Sequence, residues 1–214
     1  MSRLVLAPGV TLWRERFSPL QQKHLLDDVM EKLEQAPLYR PVMPGNGKPF
    51  SAEESNFGAL GWVSDKDGYR YQATHPVTGA AWPAFPQMLL ELWAEINPAP
   101  QPECCLLNFY RAEAKMGLHQ DRDERDVSAA VIGVSLGDEG LFRIGGSYVD
   151  GKWARAGKTV SVPLASGDVI AFGGPARLAY HGIDRIRPGT SQLIPGGGRL
   201  SLTLRRVAQV GQIS

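Results

Sequence analysis

The sequence predicts a mainly β protein of the α+β class, built as a β-sandwich or jelly roll. Three observations carry this. Downstream of Pro102, six short apolar runs follow one another at close spacing, most separated by turns that contain glycine. Helical periodicity is confined to two segments before residue 98. Finally, 24 glycines and 16 prolines in 214 residues interrupt long helices, which excludes a coiled coil or helical bundle.

The first helix is expected from about Ser18 to Gln35. Ser18 can cap it, Pro19 suits the first helical position, and Gln21 completes a capping box. Leu26, Val29, Met30 and Leu33 then recur at helical spacing. Residues 36–86 hold seven prolines, with five aromatics between Phe50 and Tyr71, the pattern of a loop-rich surface with short strands. A second helix begins near Pro86, with Met88, Leu89, Leu92, Trp93 and Ile96 on one face. Strands are expected at about Glu103–Arg111, Val127–Leu136, Leu141–Ile144, Thr159–Val162, Asp168–Phe172 and Arg199–Arg206. The chain reads as one domain: an N-terminal region over 1–97, a core over 98–206, and a fraying tail over 207–214.

Composition bounds the function classes. Hydrophobic residues at 43% and charged residues at 21% allow a buried core and exclude a disordered chain. The formal charge is +1, so net charge does not drive capture of nucleic acid, although a local basic groove is compatible with it. No stretch approaches a membrane span, the N-terminus has no export leader, and the only cysteines are the adjacent Cys104 and Cys105. The expectation is a cytoplasmic protein.

Three segments point to chemistry. In His119-Gln120-Asp121 an imidazole and a carboxylate project to one side of extended chain. With a further histidine, such as His181, they make the facial triad of non-haem iron oxygenases. Alone, so short a pattern far more often describes a solvated loop histidine beside an acidic run. In the last strand, Arg199, Ser201, Thr203 and Arg205 share one face, with Leu200, Leu202 and Leu204 on the other. The polar face either meets water or lines a cavity. Two arginines spaced along roughly 20 Å of strand suit a short dicarboxylate, which a guanidinium grips with two bonds. Finally, Asn108 and Tyr110 put an amide and a phenol on one face of an apolar strand.

Together these segments resemble the AlkB family of Fe(II)- and 2-oxoglutarate-dependent dioxygenases, and its bacterial branch above all. The resemblance runs from Phe57 to Arg206 through Leu106-Leu107-Asn108-Phe109-Tyr110, Leu118-His119-Gln120-Asp121-Arg122-Asp123-Glu124, Tyr180-His181-Gly182-Ile183 and Arg199–Arg205. Upstream, Leu60-Gly61-Trp62-Val63, Gly68-Tyr69-Arg70-Tyr71 and Ala81-Trp82-Pro83-Ala84 are similar to the family's nucleotide-recognition region. The resemblance implies a double-stranded β-helix (jelly-roll) core with N-terminal helices and a nucleotide-recognition extension. It implies iron held by His119, Asp121 and His181, with O2 and 2-oxoglutarate as cosubstrates. Arg199 would bind the far carboxylate of 2-oxoglutarate, with Asn108, Tyr110, Ser201 and Thr203 nearby and Arg205 toward the metal end.

The implied activity is removal of N-methyl groups from 1-methyladenine and 3-methylcytosine in DNA, or also RNA, with release of formaldehyde, succinate and carbon dioxide. The base would be single-stranded or flipped out. Trp62, Tyr69, Arg70, Tyr71 and Asp123 are the candidate substrate residues, with Asp123 favouring cationic bases. The implied protein acts without a membrane, as a monomer. Against the family pattern, Phe172 stands where bacterial relatives often have Trp and Ser201 where they have Asn. The segment between Gly146 and Gly167 is longer, leaving Lys152 and Arg155 as candidates for a DNA contact. The rival readings are an oxygenase of the same fold acting on protein or a small molecule, and a binding module that recognises damaged bases without reacting.

Overall fold

A computed structural model describes residues 2–97, 100–111, 113–150 and 152–208. Its elements in chain order are β1 (Ser2–Ala7), β2 (Val10–Arg14), α1 (Pro19–Gln35), β3 (Glu53–Phe57), β4 (Gly61–Asp65), β5 (Gly68–Gln72) and α2 (Gln87–Ile96). There follow β6 (Cys104–Tyr110), β7 (Met116–His119), β8 (Val131–Gly137), β9 (Glu139–Val149), β10 (Lys152–Leu164), β11 (Val169–Phe172), β12 (Tyr180–Arg187) and β13 (Arg199–Arg205). The strands form an antiparallel seven-stranded sheet in the order β1-β2-β11-β8-β13-β6-β3, a four-stranded sheet β10-β9-β12-β7, and the hairpin β4-β5.

Strand alternation explains the layers. Leu200, Leu202 and Leu204 of β13 pack with Leu107 of β6 against Leu25 and Val29 of α1 and Leu89 and Trp93 of α2. On the other face, Val131, Ile170 and Phe172 share a cluster with Phe142, Ile144, Val162, Leu164 and Ile183 of the smaller sheet. The large sheet therefore has helices on one side and the four-stranded sheet on the other. Both ends of α1 follow local rules: Ser18 and Gln21 form the reciprocal capping box, and the chain leaves the helix at Ala36.

Several expectations are corrected. Two strands not expected from the sequence, β1 and β2, precede the first helix and join the large sheet, whereas β3 falls in the stretch where short strands are expected. Met30 is exposed, and Leu25 takes its place on the buried stripe of α1. The short strands expected at Leu141–Ile144 and Thr159–Val162 are the inner parts of one long hairpin, β9–β10. Gly145, Gly146 and Gly157 stand inside it with positive φ, where the register shifts, so glycines that read as breakers are bulge positions. The strand expected from Val127 begins at Val131, and His181 lies in a strand, β12, that the sequence reading did not include. Val207 is tied down by a bond from its N–H to Glu103 (2.8 Å), with its carbonyl receiving the N–H of Arg125; residues 209–214 lie outside those described.

The approach to β13 rests on one buried carboxylate. Asp138 accepts from the N–H groups of Thr190 (3.0 Å), Ser191 (3.2 Å) and Gly198 (2.9 Å), which closes the loop that precedes Arg199. Asp138→Ala leaves three backbone donors without their acceptor and is expected to cost about 2 kcal/mol or more in urea unfolding. A cost within 0.5 kcal/mol, the ordinary effect of a surface substitution, would show that the loop does not depend on it.

Candidate active site

Between the two sheets lies a cavity of about 730 Å³, lined by residues from β3, β4, β6, β7, β8, β12 and β13. At its floor β7 pairs with β12 so that His119 stands opposite His181, and their rings are 4.4 Å apart. Asp121 follows β7 by two residues and turns its carboxylate between them: Oδ1 is 3.6 Å from His119 Nε2 and 3.7 Å from His181 Nε2. One donor atom from each of the three lies within 4.8 Å of the others.

The hydrogen bonds behind the imidazoles orient them. His119 Nδ1 lies 3.0 Å from the carbonyl of Gly117, and His181 Nδ1 lies 3.1 Å from that of Ala179. A carbonyl can only accept, so Nδ1 carries the proton and Nε2 presents a lone pair to the centre. Burial, with the neighbouring His119, lowers His181 to about 4, so it is a neutral ligand at physiological pH. Burial alone would raise Asp121, but Arg205, then His181 and His119, outweigh it and hold the carboxyl at about 2. Two imidazoles and one carboxylate, with the second carboxylate oxygen buried and unpartnered, fit a divalent iron with open positions.

The neighbouring charges fit a dicarboxylate. Arg199 is almost wholly buried, donates to Ser135 Oγ (2.9 Å), and has no carboxylate partner among the described residues. Burial lowers it only to about 10, so it remains a cation awaiting an anion. Gly140 makes room for it: a Cβ there would meet Arg199 Cδ and Nε at 2.8 Å. Asn108, Tyr110, Ser201 and Thr203 line the same cavity, and Asn108 Oδ1 is buried without a partner. Arg205 donates to Asp121 Oδ1 (2.9 Å) and to the Tyr71 hydroxyl (3.3 Å), so it stands at the metal end.

Of the substrate candidates, Trp62, Tyr69 and Asp123 line the cavity. Trp62 stacks on Tyr69 (5.4 Å between rings, 18° between planes) and donates its indole N–H to Asp123 Oδ2 at 2.9 Å. Arg70 instead faces outward, in a two-bond pair with Asp65. Tyr71 turns inward and donates to Glu124. Arg155 reaches the cavity, whereas Lys152 does not.

Sequence reading missed the places of Arg177, Glu124, Gln120 and Glu54 around the site. Arg177 donates to the carbonyl of Asp121 (2.7 Å) and pairs with Glu124 (3.3 Å), and Glu124 receives Tyr71. Gln120 holds the strand end through the carbonyl of Leu178 (2.6 Å). Glu54, on β3, is fully buried at the cavity wall. Phe172, in the place of a family tryptophan, packs 4.6 Å from the His181 ring.

A triad beside an unpaired buried arginine defines an iron-dependent oxygenase that uses a 2-oxo dicarboxylate. The model of the 2OG-Fe(II) oxygenase superfamily matches residues 9–205, and the chain belongs to that superfamily as a member of its AlkB family. It is similar to the alpha-ketoglutarate-dependent dioxygenase AlkB homolog of Caulobacter vibrioides, 48% identical over 206 residues that cover 95% of this chain and 90% of the relative. It is also similar to the Arabidopsis thaliana protein named DNA N(6)-methyladenine demethylase ALKBH1C, 36% identical over 69% of this chain and 38% of that one. The solved structure of OsALKBH1 superposes with a TM-score of 0.75 at 29% identity, covering 96% of this chain and all of that one. The chain is a 2-oxoglutarate-dependent dioxygenase with Fe(II) as its metal and O2 as cosubstrate.

Arg199→Met is expected to raise the 2-oxoglutarate concentration for half-maximal turnover about 100-fold, the effect of deleting one partner of a buried charge pair. It should not lower the melting temperature of the protein alone, because a buried cation without a counter-ion is removed. An unchanged 2-oxoglutarate requirement would take the anchor role away from Arg199.

Proposed function

We propose that this chain is a nucleic-acid N-demethylase that repairs alkylated bases in DNA, and also in RNA, by accepting a single-stranded or flipped-out base. The observation that carries the reading is the aromatic platform of Trp62 and Tyr69 in the same cavity as the triad. A base stacked there is removed from the duplex and brought toward the metal ligands. The name of the Arabidopsis relative supports the same substrate class.

Iron held by His119, Asp121 and His181 would, with O2, supply the oxidation: 2-oxoglutarate would lose carbon dioxide and take up one oxygen atom as succinate, and the methyl carbon would leave with the other as formaldehyde. The chain supplies the rest. Arg199 holds the far carboxylate of 2-oxoglutarate, and Asn108, Tyr110, Ser201 and Thr203 set its orientation, with Arg205 at the metal end. Phe142, Phe172 and Ile183 give the centre an apolar wall, the two rings packing against His181. Arg155, with Lys152 farther along β10, offers positive charge to the phosphates of the incoming strand.

The reading includes a monomer working in the cytoplasm. Two buried, unbridged cysteines support a reducing compartment, and no helix among the described residues is long and apolar enough to cross a membrane.

Formaldehyde release from oligonucleotides carrying 1-methyladenine or 3-methylcytosine tests the proposal. Trp62→Ala is expected to lower that turnover about tenfold, within the range of one lost stacking contact, while consumption of 2-oxoglutarate without nucleic acid persists. Equal loss of both would make Trp62 a folding residue and remove the platform.

A further inference from the structure

Glu54 is the buried acid that the chemistry above leaves unused. Along β3 the side chains alternate. Ser55 bonds to the carbonyl of Ala36 (2.7 Å) and Phe57 packs in the helix-side core, so Glu54 projects from the opposite face, across from Asn108 of β6. It lines the cavity, is 0% exposed, and neither carboxyl oxygen has a hydrogen-bond partner. The cation that acts on it is Arg205, whose own bonds go to Asp121 and Tyr71. A desolvated carboxyl without a partner destabilises the empty protein. At the wall of a binding cavity such a group waits for a ligand.

The dicarboxylate already has two cations in the cavity, Arg199 and Arg205, which leaves Glu54 to a different ligand. The complement of Glu54 is a cation or an N–H donor, and that belongs to the other substrate. A base methylated on a ring nitrogen next to an exocyclic amine, such as 1-methyladenine or 3-methylcytosine, offers both. Asp123, the acid assigned this role from the sequence, already accepts the indole N–H of Trp62 on one oxygen, whereas Glu54 has both oxygens free. We propose that Glu54 is a specificity-determining residue that selects cationic methylated bases bearing an exocyclic amine over neutral methylated bases. Burial pushes its carboxyl up to about 8 against the pull of Arg205, so the empty cavity keeps it neutral, and an arriving cation stabilises the ionised form. The assignment deepens the demethylase reading and rests on it.

The test compares kcat/KM for oligonucleotides carrying 1-methyladenine or 3-methylcytosine with those carrying the neutral 1-methylguanine or 3-methylthymine. Glu54→Gln preserves size and removes the ionisable oxygen. It is expected to lower the cationic-to-neutral ratio roughly tenfold, the scale of one lost charge contact. Glu54→Leu should lower the ratio as far, and should melt at the same temperature as the parent or higher, since an unpaired buried polar group is gone. A ratio unchanged in both variants overturns the assignment, as does a shift confined to the 2-oxoglutarate requirement, which would place Glu54 at the cosubstrate. Should the parent protein consume 2-oxoglutarate but release formaldehyde from none of the four oligonucleotides, the demethylase reading fails, and Glu54 falls with it. Turnover by the parent with an unmoved ratio refutes Glu54 alone.

Discussion

One buried carboxylate organises this molecule. Asp121 stands between two imidazoles and receives a charged bond from Arg205, so three separate stretches of chain converge on a single oxygen. Taking that charge out of water is costly unless cations or strong donors meet it. The surrounding structure does this in layers. Arg177 fixes the backbone of Asp121 and pairs with Glu124, and Glu124 in turn receives Tyr71, which Arg205 also touches. The hairpin β4–β5, through Tyr71 and Trp62, is thereby joined to the same network that aims the metal ligand. The stacked pair of Trp62 and Tyr69 and the carboxylate of Asp121 are thus tied to one segment, residues 121–124.

The sheet supplies the rigidity this requires. Strand β13 gives its leucines to the helical layer and its arginines, serine and threonine to the cavity, so the packing that stabilises the fold also sets the height and angle of those polar side chains. β13 lies between β6 and β8, paired on both edges, which suits a strand whose side chains must not drift. Gly140 completes the arrangement by yielding its side-chain volume to the guanidinium of Arg199. Among the buried groups left without a full set of partners, Arg199 and Glu54 both face the cavity with opposite chemistry, one a cation and the other an acid.

Much of the site was legible in the sequence because it obeys short-range rules. A spacing of two puts His119 and Asp121 on one side, alternation puts Arg199, Ser201, Thr203 and Arg205 on one face, and the resemblance to AlkB proteins joins His181 to them. The rest depends on long-range pairing that no local pattern encodes. Strands β7 and β12 escape notice because one is four residues long and the other carries Gly182 directly after its histidine; they exist because they pair with each other and with β9. Glu124 and Arg177 look like solvated charges, since nothing near them in sequence reveals that Tyr71 lies against Glu124. Glu54 follows another glutamate and reads as exposed, and only the register of β3 on β6 turns it inward. The aromatics of the extension divide likewise: Trp62 and Tyr69 reach the cavity, while Tyr71 serves the interior and Arg70 the surface.

The central claim is that His119, Asp121 and His181 hold iron beside an arginine that holds 2-oxoglutarate. The most direct measurement is anaerobic addition of ferrous iron and then 2-oxoglutarate to the purified protein, followed by visible absorption. The account predicts a charge-transfer band that forms only when both are present and is lost in Asp121→Ala. A spectrum that stays flat with both bound components in excess, or a band that persists in that variant, would contradict it.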